Sequence, residues 1–185
     1  FDMAARRALA DFGEGVIRAV APLVPAIKIN SAFFEAHSSE GLGVYFELVA
    51  AAQEAGLIVN GDIKRGDIGH SSEAYAQGHL ATANTLRGPE ASAPDAVTVS
   101  SYLGLDGLNP FLKTCIDDGK GVFALVQTSN ESAAEVQSAR LTSGDTVAMH
   151  MARLVGRWGA TPTLLGRSGY SALGGLVSPG DRGTN

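Results

Sequence analysis

Apolar positions along the chain follow two alternating periods. Between residues 3 and 21, Ala8, Phe12, Val16 and Ala19-Val20 recur three to four apart, the spacing of one helix face, and Pro22 and Pro25 end the run. Ala26-Ile27-Lys28-Ile29-Asn30 then predicts a short strand. Residues 41–55, rich in Ala, Leu, Val and Glu, predict a second helix that closes at Gly56. Leu57-Ile58-Val59 opens a strand over 57–63, with the apolar, β-branched run of a buried parallel strand. A helix over 71–81 follows, with Ser71 or Ser72 as its N-cap. Asp95-Ala96-Val97-Thr98-Val99 is the next strand and 107–118 the next helix. Gly121–Val126 is another strand, ending in Gln127-Thr128-Ser129-Asn130. A helix over 143–158 and a short last strand, Thr163-Leu164-Leu165, complete the pattern.

Strands of five or six residues alternating with helices of ten to fifteen give the βα rhythm of a parallel sheet. No glycine-rich phosphate turn follows an early strand, which argues against a dinucleotide-binding sheet. Polar residues collect after successive strands instead: Lys28, Asp62 and Lys64, Thr98, Ser129. Barrel enzymes keep their chemistry at that end of each strand. The pattern therefore predicts a (β/α)8 TIM barrel, a single domain over 1–185. Such barrels typically run to about 250 residues, so 185 residues fall short of a closed one.

Composition narrows the function classes. Hydrophobic residues make up 45% and charged residues 18%, as in a folded soluble enzyme rather than a disordered chain. A net charge of -5 gives no electrostatic reason to expect nucleic acid or an anionic membrane as partner. The lone cysteine, Cys115, rules out an internal disulfide framework and fits a reducing, cytoplasmic setting. Residues 1–12 lack the continuous apolar core of a signal peptide, and no run approaches the ~18 apolar residues of a spanning helix. His37, His70, His79 and His150 show no metal-ligand spacing.

The candidate chemistry sits in residues 57–68, LIVNGDIKRGDI. Strand alternation points Asp62 and Lys64 the same way, and Asp67 follows Gly66 on a loop that can turn back. Carboxylates bracketing one ammonium at the carboxyl end of a strand suit a site that handles a proton or a developing negative charge. Taken alone, the same residues also make a solvated charged turn. Lys28 alone reads more often as a surface lysine at a strand end, and Thr-Ser-Asn is also an ordinary helix cap. Arg65 and Arg167 are open to either phosphate binding or plain surface exposure.

Asp62-x-Lys64-x-x-Asp67-Ile68 resembles the signature of orotidine 5'-phosphate decarboxylases. Its wider context, AIKINSAFFEAHSSEGLGVYFELVAAAQEAGLIVNGDIKRGDIGHSSEAYA, is similar to the bacterial, type 2 branch of that family. Further matches follow at DAVTVSSYLGLDGLNPFL, ALVQTSN and LLGRSGYSALGGLV, so that the resemblance covers most of residues 16–177. It implies decarboxylation of orotidine 5'-phosphate to uridine 5'-phosphate in pyrimidine synthesis, without metal, pyridoxal or other cofactor. Lys64 would protonate C6 of the ring, with Asp62 beside it against the departing carboxylate. Lys28 would complete the charge network and reach the ribose. Asp67 and Ser71, the latter where the family usually has threonine, would reach across a homodimer interface into the partner's site, with Ile68 between them. Ser129 would bond the pyrimidine's amide edge. Fixed charges would supply the stabilisation.

The same resemblance implies a first strand, carrying a substrate-contacting aspartate, ahead of residue 1. It also implies two last strands after Val177, carrying a phosphate-binding glutamine and arginine. Pro179-Gly180 and Arg182-Gly183 echo these only faintly. The expectation is either an incomplete barrel or one without its phosphate clamp. Two other functions stay open: a magnesium-dependent sugar-phosphate decarboxylase or aldolase of the same superfamily, and a non-catalytic barrel kept for assembly.

Overall fold

A computed structural model of the protein describes residues 3–82 and 92–178. They pack as two compact units, the described residues up to 63 and between 73 and 97 forming one, and residues 64–72 with the described residues from 98 onward forming the other. The strands form one sheet in the order β1-β2-β3-β4-β5.

The first unit opens with helix α1 (Met3–Val20) and strand β1 (Ala26–Asn30), then α2 (Ala32–Glu35) and α3 (Ser38–Glu54). Strand β2 (Ile58–Arg65) follows, and its residues up to Ile63 belong here. β1 runs parallel to β2, in register from Ala26 opposite Ile58 to Asn30 opposite Asp62. Ile27, Ile29 and Val59 pack into one apolar cluster with Val44, Tyr45 and Leu48 of α3. Alternation then assigns Lys28, Asn30, Asn60 and Asp62 to the face away from that cluster. Gly61 is required on the clustered face, because a Cβ there would collide with the Tyr45 hydroxyl. The Asp95 carboxylate accepts the Val59 amide at 2.8 Å and Gln53 Nε2 at 3.2 Å, while the Asp95 amide donates to the Val59 carbonyl at 2.9 Å. These bonds set β3 (Ala96–Val99) beside β2.

Helix α1 carries two apolar stripes, and only one is buried. Ile17 is buried and Leu9, Ala10 and Val20 pack on the core, whereas Phe12 is 73% and Val16 45% exposed. Spacing alone cannot say which apolar stripe meets the core when a helix carries two. Phe12 and Val16 instead line an apolar concavity of about 600 Å³ with Ile27, Ile29 and Phe33.

The second unit holds the ends of β2 and β3, then α5 (Leu105–Asp118), β4 (Gly121–Gln127), α6 (Ala133–Gln137), α7 (Val147–Gly159) and β5 (Leu173–Val177). β4 and β5 are parallel, from Val122 opposite Leu173 to Gln127 opposite Val177. The expected last strand at 163–165 is not there. Pro162 starts a 3-10 turn through Leu164, and Leu165 forms an isolated antiparallel bridge to Ser171. The true last strand lay hidden in LGGLV, because paired glycines read as a loop. They are needed for packing: a Cβ on Gly174 would lie 2.9 Å from the Phe123 ring, and one on Gly175 3.2 Å from Val126.

Two helix starts also move. α7 begins at Val147 rather than 143, because Leu141–Gly144 form a turn and Thr146 caps the helix by accepting the Met149 amide at 3.1 Å. α4 (Gly69–His79) begins before Ser71 and Ser72, so neither serine is its cap. Ser72 is buried and donates its hydroxyl to the Gly107 carbonyl at 2.7 Å, fastening the start of α4 to α5.

Candidate active site

In the first unit, the register of β1 on β2 brings the Lys28 ammonium to 3.5 Å from the Asp62 carboxylate. The pair is asymmetric, with the Lys28 side chain 50% exposed and that of Asp62 only 4%. A carboxylate so deeply placed is charged at a desolvation cost, and a nearby ammonium offsets it. β1 turns away immediately afterwards: Asn30 Oδ1 accepts the Ala32 amide at 3.0 Å, and the buried Ser31 donates its amide to the Asp62 carbonyl at 3.4 Å.

In the second unit, Lys64 is exposed and has φ +48°, in the left-handed region where a residue with a Cβ is strained. Lys64 lies inside β2, and this φ interrupts the regular strand geometry at that residue. The chain returns to the sheet at once, since the Arg65 carbonyl accepts the Ser100 amide at 2.7 Å. Gly66 must be glycine, because a Cβ would stand 2.7 Å from that of Ser100. Asp67 is half-buried and turns the loop by accepting the Ile68 amide on Oδ1 at 2.8 Å. Gly107 gives its carbonyl room, since a Cβ there would come within 3.0 Å of the Asp67 oxygen. Ile68 (56% exposed) and Ser71 face outward from the same loop and the first turn of α4.

The second unit also carries Ser129, exposed on the loop that leaves β4. Of the residues left open by sequence, Arg65 is half-buried and Arg167 exposed. Cys115 is a core residue whose thiol is pushed up to about 12 by burial. Pro179-Gly180 and Arg182-Gly183 lie outside the described residues. Among the described residues, no group of three or more His, Cys, Asp or Glu is placed to share a metal ion, and no helix is long and apolar enough to cross a membrane. Sequence reasoning passed over Gly107 and did not find the contacts by which Ser72, Gly66 and Gly107 shape the Asp67 loop. Their roles depend on contacts with Ser100 and α5 that no local pattern announces.

Residues 8–172 match the model of the orotidine 5'-phosphate decarboxylase / HUMPS family. The chain belongs to that family. It is 39% identical over 176 residues to the orotidine 5'-phosphate decarboxylase of a Nocardioides species, which covers 94% of this chain and 62% of the relative. The Rhodopirellula baltica orotidine 5'-phosphate decarboxylase is 40% identical over 162 residues, or 88% of this chain and 52% of that one. A crystal structure from Streptomyces avermitilis, provisionally named orotidine 5'-phosphate decarboxylase, superposes with a TM-score of 0.79 at 36% identity, covering 95% of this chain and 59% of the other. The fold class is thus the family's (β/α) barrel, from which this chain has a parallel sheet alternating with helices. The chain spans between half and two thirds of the length of these relatives.

Proposed function

We propose that this chain carries the catalytic strand ends of an orotidine 5'-phosphate decarboxylase that forms uridine 5'-phosphate. The observation that carries the reading is the buried Asp62 carboxylate on β2, beside the Lys28 ammonium of β1 and two residues ahead of the exposed Lys64 in the chain. Loss of CO2 from C6 leaves an electron pair on a ring carbon with no adjacent π system to accept it. A fixed ammonium is the group that stabilises such a pair, and it can then deliver a proton to it. In this reading Lys64 is that ammonium. Asp62 opposes the substrate carboxylate before it leaves, and Lys28 holds Asp62 charged and reaches the ribose. Ser129 bonds the amide edge of the pyrimidine. The exposure of Ile68 and Ser71 supports a homodimer in which Asp67 and Ser71 serve the partner's site.

Release of CO2 from orotidine 5'-phosphate in excess chelator tests the reading. Release that persists with chelator and falls about 10³-fold in Lys64→Ala is expected. Release that needs added magnesium would favour the magnesium-dependent sugar-phosphate alternative. For the shared site, mixing Lys64→Ala with Asp67→Ala protein should recover activity that neither has alone. No recovery would confine Asp67 to its own subunit.

A further inference from the structure

We infer that Gln137 is the positioning residue that holds the Ser129 loop ready for the pyrimidine ring. The inference rests on the reading in which Ser129 meets that ring. Gln137 ends α6, nine residues beyond Thr128, and is half-buried. Both ends of its carboxamide engage one residue. Oε1 accepts the Thr128 amide at 2.8 Å, and Nε2 donates to Thr128 Oγ1 at 2.7 Å. The Thr128 hydroxyl then donates its own hydrogen bond to Asn130 Oδ1 at 2.7 Å.

This chain of bonds has one polarity. The Thr128 amide can only donate, so it requires the oxygen of Gln137, which turns the NH2 group onto the hydroxyl. That hydroxyl, accepting from Gln137, directs its hydrogen to Asn130. The Asn130 carbonyl in turn accepts the Ala133 amide at 3.0 Å at the start of α6. Residues on both sides of Ser129 are thereby tied down, while Ser129 itself stays exposed at the end of β4. A loop fixed before the ligand arrives loses less entropy when its hydroxyl is aligned. A helix as short as α6 has little stability of its own, so the bonds that fasten its two ends matter to its position. The type of side chain matters too. Glutamate would still accept the amide, but it has no N–H for Thr128 Oγ1. The hydroxyl would then turn to the carboxylate and release Asn130.

Calorimetric titration of the full chain with uridine 5'-phosphate and with ribose 5-phosphate, which lacks the base, tests this. Gln137→Leu should weaken the nucleotide about tenfold and the sugar phosphate less than about twofold, with Gln137→Glu in between. Adding Gln137→Leu to Ser129→Ala should bring little further loss, because the two act through one contact. Equal weakening of both ligands, or full additivity, would overturn the inference as a merely structural effect. If Ser129→Ala weakens the nucleotide and neither Gln137 variant does, Gln137 is not the positioning residue but the Ser129 assignment stands. If Ser129→Ala changes nothing, or the unsubstituted chain binds no nucleotide, the Ser129 assignment fails and the inference falls with it. Amide exchange provides a reading without ligand: Thr128 should exchange at least about tenfold faster in Gln137→Leu. An unchanged rate overturns the clamp. If Gln137→Leu does not fold, Gln137→Glu carries both measurements.

Discussion

The ends of β2 and β4 hold polar residues by different physics. At β2 the element is a charge pair, a carboxylate 4% exposed and an ammonium 50% exposed, 3.5 Å apart. At β4 it is a run of neutral hydrogen bonds from Gln137 through Thr128 to Asn130. Opposite charges at ~4 Å attract by about 4 kcal/mol at an effective dielectric near 20. Desolvation of Asp62 and the water around Lys28 remove much of that. Such a pair tolerates small shifts, because Coulomb attraction falls slowly with distance. Neutral hydrogen bonds contribute about 1 kcal/mol each but fix direction sharply. The charged strand end is therefore suited to stabilising charge, and the neutral one to orienting a ring.

The largest expected effect falls on chemistry at β2. Lys64→Ala should lower the rate of CO2 release by about 10³-fold, the scale of a lost general acid, while uridine 5'-phosphate affinity changes little. Single-turnover kinetics with a parallel titration measure both. Next comes stability. Lys28→Met removes the ammonium 3.5 Å from a buried carboxylate and should cost about 2–3 kcal/mol in urea unfolding. Asp62→Asn leaves only a half-exposed ammonium and should cost less, about 1–2 kcal/mol. The reverse order would mean that the ammonium is the member that depends on the pair.

A smaller effect separates backbone from side chain at Lys64. With φ at +48°, Lys64→Gly should be more stable than Lys64→Ala by about 1 kcal/mol, although both lack the ammonium. Equal stabilities would show that the left-handed turn carries no strain. The smallest effect at neutral pH is at Cys115, in the core rather than at a strand end. Its thiol is raised from 9.0 to about 12 by burial, so the folded protein stays protonated where the unfolded chain ionises. Stability at this residue is thus full below about pH 9 and declines as pH rises from there towards 12. Alkylation should be slow in the native protein and fast in urea.

Much of this was legible from sequence, and what was not has specific causes. β-branched and apolar runs announced β1 to β4, and DIKRGDI announced the charged strand end. β5 was missed because Gly174 and Gly175 are there to fit Phe123 and Val126, a tertiary reason with no local trace. The 3-10 turn at Pro162–Leu164 was mistaken for a strand because three residues carry too little period to separate the two. The spacing of Phe12 and Val16 announced a helix, but spacing finds stripes without saying what covers them. Gln137 gave no signal, since its role is defined by a partner nine residues back, across a loop. The φ of Lys64 was invisible for a related reason. A left-handed lysine contradicts local preference, and such exceptions gather at functional sites.

The central claim is that the Lys64 ammonium meets an electron pair at C6 of the pyrimidine. By microscopic reversibility, the same lysine must be able to remove the C6 proton of bound uridine 5'-phosphate. Proton NMR of uridine 5'-phosphate incubated with the chain in D2O reads that step directly, with no carboxylate to lose. The account predicts slow replacement of the C6 hydrogen by deuterium, absent in Lys64→Ala and unaffected by chelator. Exchange that continues unchanged in Lys64→Ala would contradict it.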